Sequence, residues 1–247
     1  MLVHYFSSNV AKKGDLEDIT KICRDKNLIN CTMFIFDFDY CGVLYKEFQK
    51  LPKDTDTFAF FACSEKEKLP KSSDLPSDIF TACMITPARM ALLWHSWHYY
   101  CFKNGPLKPL LPLFIEENEY DPDIIEEAFS NIMVIMRCTV EAIAFQILDK
   151  EVFLRLFRTD NTVSQLVVNF VFAARILSFF DVTPLSFPQI PSSVYHHQLW
   201  EAFDLRLDAE LFKLQEPSLP YCVSFQRYAE QIIISLETAI NVVQVSE

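Results

Sequence analysis

The run "MFIFDFDYCG" (Met33 to Gly42) ends in three side chains with chemistry of their own: Asp37, Asp39 and Cys41. A strand that finishes in Asp-x-Asp can present one carboxylate to attack phosphorus and a second to act as acid and base around magnesium. Such a site also needs a later acid pair at another strand end, and downstream of Asp39 the acids are scattered through helical sequence. A cysteine nucleophile is the next candidate, because His4 falls near the end of the first strand and a parallel sheet would bring it near Cys41. That pair defines the alternative reading, a cysteine peptidase-like hydrolase. A thiolate needs a base or an electropositive surround, and the neighbouring Asp39 works the other way. The plainer reading makes Cys41 and His4 ordinary sheet-edge residues.

His95, His98 and Cys101 recur every three residues on one helical face, a spacing that zinc sites use, but a fourth ligand and a closing element are missing. A helix end packed with imidazole and aromatic groups accounts for them. His196 and His197 are adjacent, so on a helix their side chains diverge. Trp94, Trp97, Trp200 and Phe203 mark aromatic helix faces, which serve as core or as a groove for a peptide or partner helix. The residues therefore point to no catalytic set, no cofactor and no metal.

Composition narrows the classes further. A net charge of −11 without a separate basic stripe argues against nucleic acid. Three glycines, Gly14, Gly42 and Gly105, are too few and too far apart for a phosphate-cradling loop. Eight cysteines without a CxxC pair, behind an amino terminus that lacks a secretory pattern, read as free thiols in a reducing cytosol. The most apolar long stretch carries Asn169 and Arg175, which makes it a poor membrane span, so no membrane insertion is expected.

The elements that must position these residues change character along the chain. Short continuous apolar runs, Leu2 to Phe6, Thr32 to Phe38, Phe58 to Cys63 and Ile79 to Ile85, predict strands buried on both faces of a parallel sheet. Leu16, Ile19, Ile22 and Cys23 predict a helix between the first two. Pro87 suits the first residue of a helix over Ala88 to Phe102, stopped by Asn104-Gly105-Pro106. Helices follow from Asp121-Pro122 through Ile147, from Asn161 to Phe180, from Val194 to Leu214 and from Phe225 to Val243. Between the second and third of these, the three prolines of "TPLSFPQIP" predict a stiff extended connector. The fold class is α/β and then all-α, with an α/β portion over 1–103 and a helical region over 104–247.

One block is specific. "DLPSDIFTACMITPARMALLW" (Asp74 to Trp94) resembles the signature of the Raptor family, scaffold subunits of TOR complex 1. "FACSEKEKLPKSSDLP" upstream fits as well, and so do "FLRLFRTD" (Phe153 to Asp160), Asn169-Phe170, Arg175, Thr183-Pro184 and "HQLWEAFDLRLD" (His197 to Asp208) in the family's order. The resemblance implies a caspase-like α/β portion, reduced at its amino-terminal end, and a helical region leading into a HEAT-like solenoid of packed antiparallel helices. It aligns His4 with the first histidine of the family's strand. The dyad-like histidine then falls on Ser8 and the cysteine on Phe38, while Asp37 is retained. By that resemblance the chain is a pseudo-enzyme, a non-catalytic adaptor. Its implied partners are the TOR kinase, the small propeller subunit and substrates carrying a TOS peptide motif. The implied location is the cytoplasm, with recruitment to the vacuole or lysosome surface through the complex.

Overall fold

Strand β1 (Leu2–Ser7), β2 (Thr32–Asp37) and β3 (Thr57–Phe61) form where the apolar runs are continuous, and every residue of β2 and β3 is buried. They belong to a computed structural model that describes residues 2–7, 32–52, 55–71, 75–103 and 122–215. With β4 over Leu185–Phe187, the strand order is β1-β2-β3-β4, and β1, β2 and β3 are parallel. Register sets Ser7 opposite Asp37 and Phe36 opposite Phe61, so the strand ends that carry candidate chemistry are level with one another.

The sheet is mixed, where the apolar runs alone predict a parallel one. Strand β4 (Leu185–Phe187) pairs antiparallel with β3, Phe61 opposite Leu185 and Ala59 opposite Phe187. It lies inside the proline-rich segment expected to be only a connector. Pro184 and Pro188 flank three residues that keep their N–H groups, and proline is tolerated at the ends of an edge strand. The Phe187–Pro188 peptide is cis.

A second correction concerns Ile79 to Ile85, which is helix α2 (Ile79–Ile85) and not a strand. A seven-residue apolar run fits either state by length. What decides it is burial at helical spacing: Ile79, Phe80, Cys83 and Met84 are buried, whereas Ile85 is 68% exposed. Alternation would have buried Ile85 along with Ile79.

Side-chain alternation gives the sheet two different faces. On one, aromatic rings stack across the strands: His4 on Phe34 at 5.3 Å, Phe6 on Phe36 at 5.2 Å and Phe36 on Phe61 at 4.8 Å. Helix α1 (Tyr45–Phe48) closes this face with Phe48, which meets Phe34, Phe36 and Phe61 edge-on. On the other face Phe60 stacks at 4.4 Å on Phe170, from the helix over Asn161–Phe179, and Phe80 meets the same ring edge-on. Each ring buried this fully contributes about 1.5–3 kcal/mol.

The remaining helices are α3 (Pro87–Lys103), α4 (Pro122–Ile147), α5 (Lys150–Phe157), α6 (Asn161–Phe179) and α7 (Trp200–Gln215). Pro87 and Pro122 stand at first helical positions, where a missing N–H costs nothing. Asp160 caps α6 by accepting from the N–H groups of Thr162 and Val163 at 2.7 and 3.2 Å. The helix expected from Val194 starts six residues later. Ser192–Val194 forms a 3-10 turn, and Tyr195 is held beside it by its hydroxyl, which donates to the Ile190 carbonyl at 3.1 Å. The helices expected over Leu16 to Cys23 and over Phe225 to Val243 lie outside the described residues.

Packing divides the chain into two compact units, Met1–Thr81 with Leu154–Tyr195, and Ala82–Phe153 with His196–Glu247. This division follows the chain's return to β4. In the second unit α3, α4 and α7 pack on one another, burying Ile132, Met136, Val140 and Ile143 of α4 and Phe203, Leu207 and Leu211 of α7. Two segments, Asp123–Ile147 and Asn161–Phe179, are long and apolar enough to cross a membrane. More than half of each apolar window, 56% and 67%, is buried inside the protein, as in the core helices of soluble domains.

Candidate functional site at the carboxyl end of the sheet

Asp37 is the last residue of β2, and its side chain is 4% exposed. Two hydroxyls satisfy it. Tyr5 of β1 donates to Oδ2 at 2.9 Å, and Thr81, at the start of α2, donates to the same oxygen. The Tyr5 and Thr81 oxygens also contact each other, closing a three-member network. Burial pushes the Asp37 carboxyl above the usual aspartate range even though both hydroxyls favour its charged form. Burial likewise raises the Tyr5 phenol. A carboxyl engaged in this way is a structural acceptor whose Oδ2 already serves two donors.

The second aspartate turns elsewhere. Asp39 Oδ1 accepts the Leu69 N–H at 2.9 Å and ties the turn after β2 to the loop that follows β3. Glu67 reinforces the same loop. Its Oε2 accepts from Ser64 N–H at 3.0 Å and from Thr183 N–H at 2.8 Å, and its carbonyl accepts from Tyr40 N–H at 2.9 Å. Partial burial works to raise the Glu67 carboxyl, but these backbone donors outweigh it and the net direction is down. Asp37 and Asp39 thus diverge and do not frame a common metal. No group of three or more His, Cys, Asp or Glu able to hold a metal ion occurs among the described residues.

Tyr40 takes a left-handed conformation (φ 64°) that starts the 3-10 turn Cys41–Leu44. Gly42 lies against the backbone of Ser64. A Cβ at this position would stand 2.6 Å from the Ser64 carbonyl carbon and 2.7 Å from the Glu65 nitrogen. Only glycine lets the two segments meet so closely.

Cys41 is fully buried, and burial pushes its thiol well above the ordinary range. The Cys41 thiol hydrogen-bonds with Cys63, which follows β3, and no hydrogen bond joins it to His4. His4 lies three residues before the end of β1, opposite Phe34, about 10 Å down the strand at about 3.3 Å per residue. Its ring is stacked on Phe34 and its Nε2 is buried without a hydrogen-bond partner. Phe38, expected at the dyad-cysteine position, is 3% exposed and packs edge-on against Phe36. Ser8 lies outside the described residues.

In the helical unit His95 Nε2 lies 2.6 Å from Asp208 Oδ1 and is engaged there. His98 stacks on Trp94, and the Cys101 side chain lies outside the described residues. His197 precedes α7 and accepts the Leu199 N–H through Nδ1 at 3.2 Å. Trp94, Trp200 and Phe203 are buried core. Reading the sequence singled out Asp37 but missed Tyr5, Thr81 and Cys63. Tyr5 sits next to the noted His4, and Cys63 ends a run already read as a strand, so only pairing across the sheet could have joined them.

These features define an α/β unit whose strand ends are filled by packed and hydrogen-bonded side chains, accompanied by a helical unit. No family model matches the chain. Among characterised proteins it is 29% identical to "Regulatory-associated protein of TOR 2" of Oryza sativa subsp. japonica, over 75% of this chain and 14% of the relative. It is 30% identical to "Target of rapamycin complex 1 subunit mip1" of Schizosaccharomyces pombe, over 67% of this chain and 12% of the relative. The fold matches the crystal structure of Chaetomium thermophilum Raptor with a TM-score of 0.59 and 28% identity, covering 77% of this chain and 18% of that one. The chain resembles the Raptor family over most of its length, as its residue blocks implied, and its mixed sheet with flanking helices matches the Raptor structure. It spans less than a fifth of the length of these relatives.

Proposed function

We propose that this chain is a non-catalytic scaffold in TOR complex 1, binding the TOR kinase and recruiting substrates in nutrient and growth signalling. The observation that carries the reading is the joint match, in sequence and in fold, to Raptor and to a named TOR complex 1 subunit over 67% to 77% of the chain. The small propeller subunit is expected in the same assembly, and substrates are expected to present a TOS peptide to apolar and aromatic anchors. The chain acts in the cytoplasm and reaches the vacuole or lysosome surface through the complex. With Ser8 and Phe38 at the dyad positions, neither a base nor a thiolate is available for caspase-type chemistry, and the burial of Cys41 gives no replacement nucleophile.

A tagged full-length chain recovered from its own cells should bring down the TOR kinase together with the small propeller protein, identified by mass spectrometry. Recovery of the tagged chain without TOR, at expression levels matched to a positive control, would sink the scaffold reading. A purified chain that cleaves peptides, and loses that activity on Cys41→Ala, would overturn its non-catalytic part.

A further inference from the structure

Two buried free thiols face each other where the chain turns at the carboxyl end of the sheet. Cys41 Sγ and Cys63 Sγ are 3.7 Å apart. Four contacts, each 3.4 Å, hold them in place: Cys63 N–H donates to Cys41 Sγ, the Cys41 thiol lies within reach of the Cys63 carbonyl as well as of the Cys63 sulfur, and the Cys63 thiol lies within reach of the carbonyls of Phe38 and Glu67. A second feature holds the two segments together. Gly42, next to Cys41, is pressed on the backbone of Ser64, next to Cys63. Neither thiol belongs to the polar network at Asp37.

We propose that Cys41 and Cys63 are an oxidative modification site, closing to a reversible disulfide under a small peroxide. The bond requires the sulfurs to approach to about 2.05 Å, a shift of less than 2 Å from where they stand. Cys63 is the attacking sulfur. The hydrogen bond from Cys41 lowers its thiol, whereas burial raises that of Cys41. The Cys63 thiolate attacks one oxygen of hydrogen peroxide, forming an S–O bond and breaking the O–O bond, and the departing hydroxide becomes water. The Cys41 sulfur then attacks the Cys63 sulfur, forming S–S and breaking S–O. The second hydroxide leaves as water with the Cys41 proton. Two thiols and one peroxide give one disulfide and two waters, and a dithiol reductant restores the thiols by exchange. Because both residues are shielded, the oxidant must be small and uncharged. Oxidised glutathione should act far more slowly than peroxide.

The experiment is peroxide titration of the full-length chain, folded and in urea, followed by differential alkylation and peptide mapping. Cross-linked peptides joining Cys41 to Cys63 should dominate in the folded chain and disappear with dithiothreitol. In urea the eight cysteines should pair without that preference. The linked form should melt several degrees higher, on the order of 5–10 °C, because the bond closes a long loop of the unfolded chain. In Cys41→Ser, a sulfenic acid should persist on Cys63 and be trapped by a dione probe. Should that variant not fold, the mapping of the unmodified sequence decides alone. The proposal is overturned if folded chain exposed to peroxide keeps both thiols alkylatable, if Cys63 links elsewhere, or if the 41–63 link forms equally in urea.

Discussion

Two buried carboxyls, Asp37 at the end of the sheet and Glu210 inside the helical unit, solve the same problem in different ways. Both are pushed upward by burial. Asp37 is answered by neutral donors, the hydroxyls of Tyr5 and Thr81. Glu210 is answered by cations: its Oε1 receives Arg206 at 2.7 Å and Lys213 at 3.4 Å, with the Asn131 amide also at 3.4 Å, while Oε2 is buried without a partner. A carboxyl held by hydroxyls can lose its charge and keep its partners, but one held by guanidinium cannot. The sheet end should therefore tolerate neutralisation that the helical unit does not.

The largest expected effect lies at Glu210. Glu210→Ala would leave the Arg206 charge, 14% exposed, without its carboxylate, and urea unfolding should show a loss of about 3–5 kcal/mol. A loss below about 1 kcal/mol would erase the contrast between the two sites. At the sheet end Thr81→Val removes one hydroxyl donor but keeps the shape, at a cost of about 1–2 kcal/mol. It should also raise the Asp37 carboxyl further, read as a shift of its carboxyl carbon in an NMR titration. An unchanged titration would mean that Tyr5 alone sets the site.

Asp37→Asn sharpens the comparison through pH. The folded carboxyl holds its proton more tightly than the unfolded chain does. Its contribution to stability is therefore complete below the ordinary aspartate value of 3.8 and is lost as pH rises through the folded value. The asparagine chain lacks that loss, so its stability relative to the parent should climb with pH across this window and then level. A difference that is flat, or that falls, would contradict the burial account. The smallest effect belongs to Lys213→Met. This lysine is 23% exposed and is the weaker of the two cations on Glu210, so about 0.2–1 kcal/mol is expected from thermal or urea unfolding.

How much of this was legible beforehand differs from element to element. Continuous apolar runs located β1, β2 and β3 to within a few residues, and for β2 and β3 burial on both faces leaves no other pattern. β1 departs from that expectation, because Val3 and Tyr5 expose one of its faces. Ile79 to Ile85 reads as a strand because seven apolar residues fit one by length, although the burial of Ile79, Phe80, Cys83 and Met84 has a helical rhythm. Strand β4 was hidden by its flanking prolines, and its partner β3 lies far away along the chain. The site was half visible. Asp37 stands out in "FDFDYCG", but the close packing of Gly42 on Ser64, the hydroxyl of Thr81 and the thiol of Cys63 appear only in the fold, the last two 44 and 22 residues along from Asp37 and Cys41. The Raptor resemblance did not depend on these contacts, because it rests on blocks of sequence in order.

The antiparallel strand that completes the sheet has a consequence for how the chain is made. β3 is synthesised long before Leu185–Phe187, with most of the helices coming between. At about 5–20 residues per second, on the order of 10 s pass before β4 leaves the ribosome. During that interval the outer edge of β3 has backbone hydrogen-bonding groups on offer with their native neighbour not yet made. A nascent chain in this position is a natural client for a co-translational chaperone, and a slowing of translation before Leu185 would lengthen its exposure.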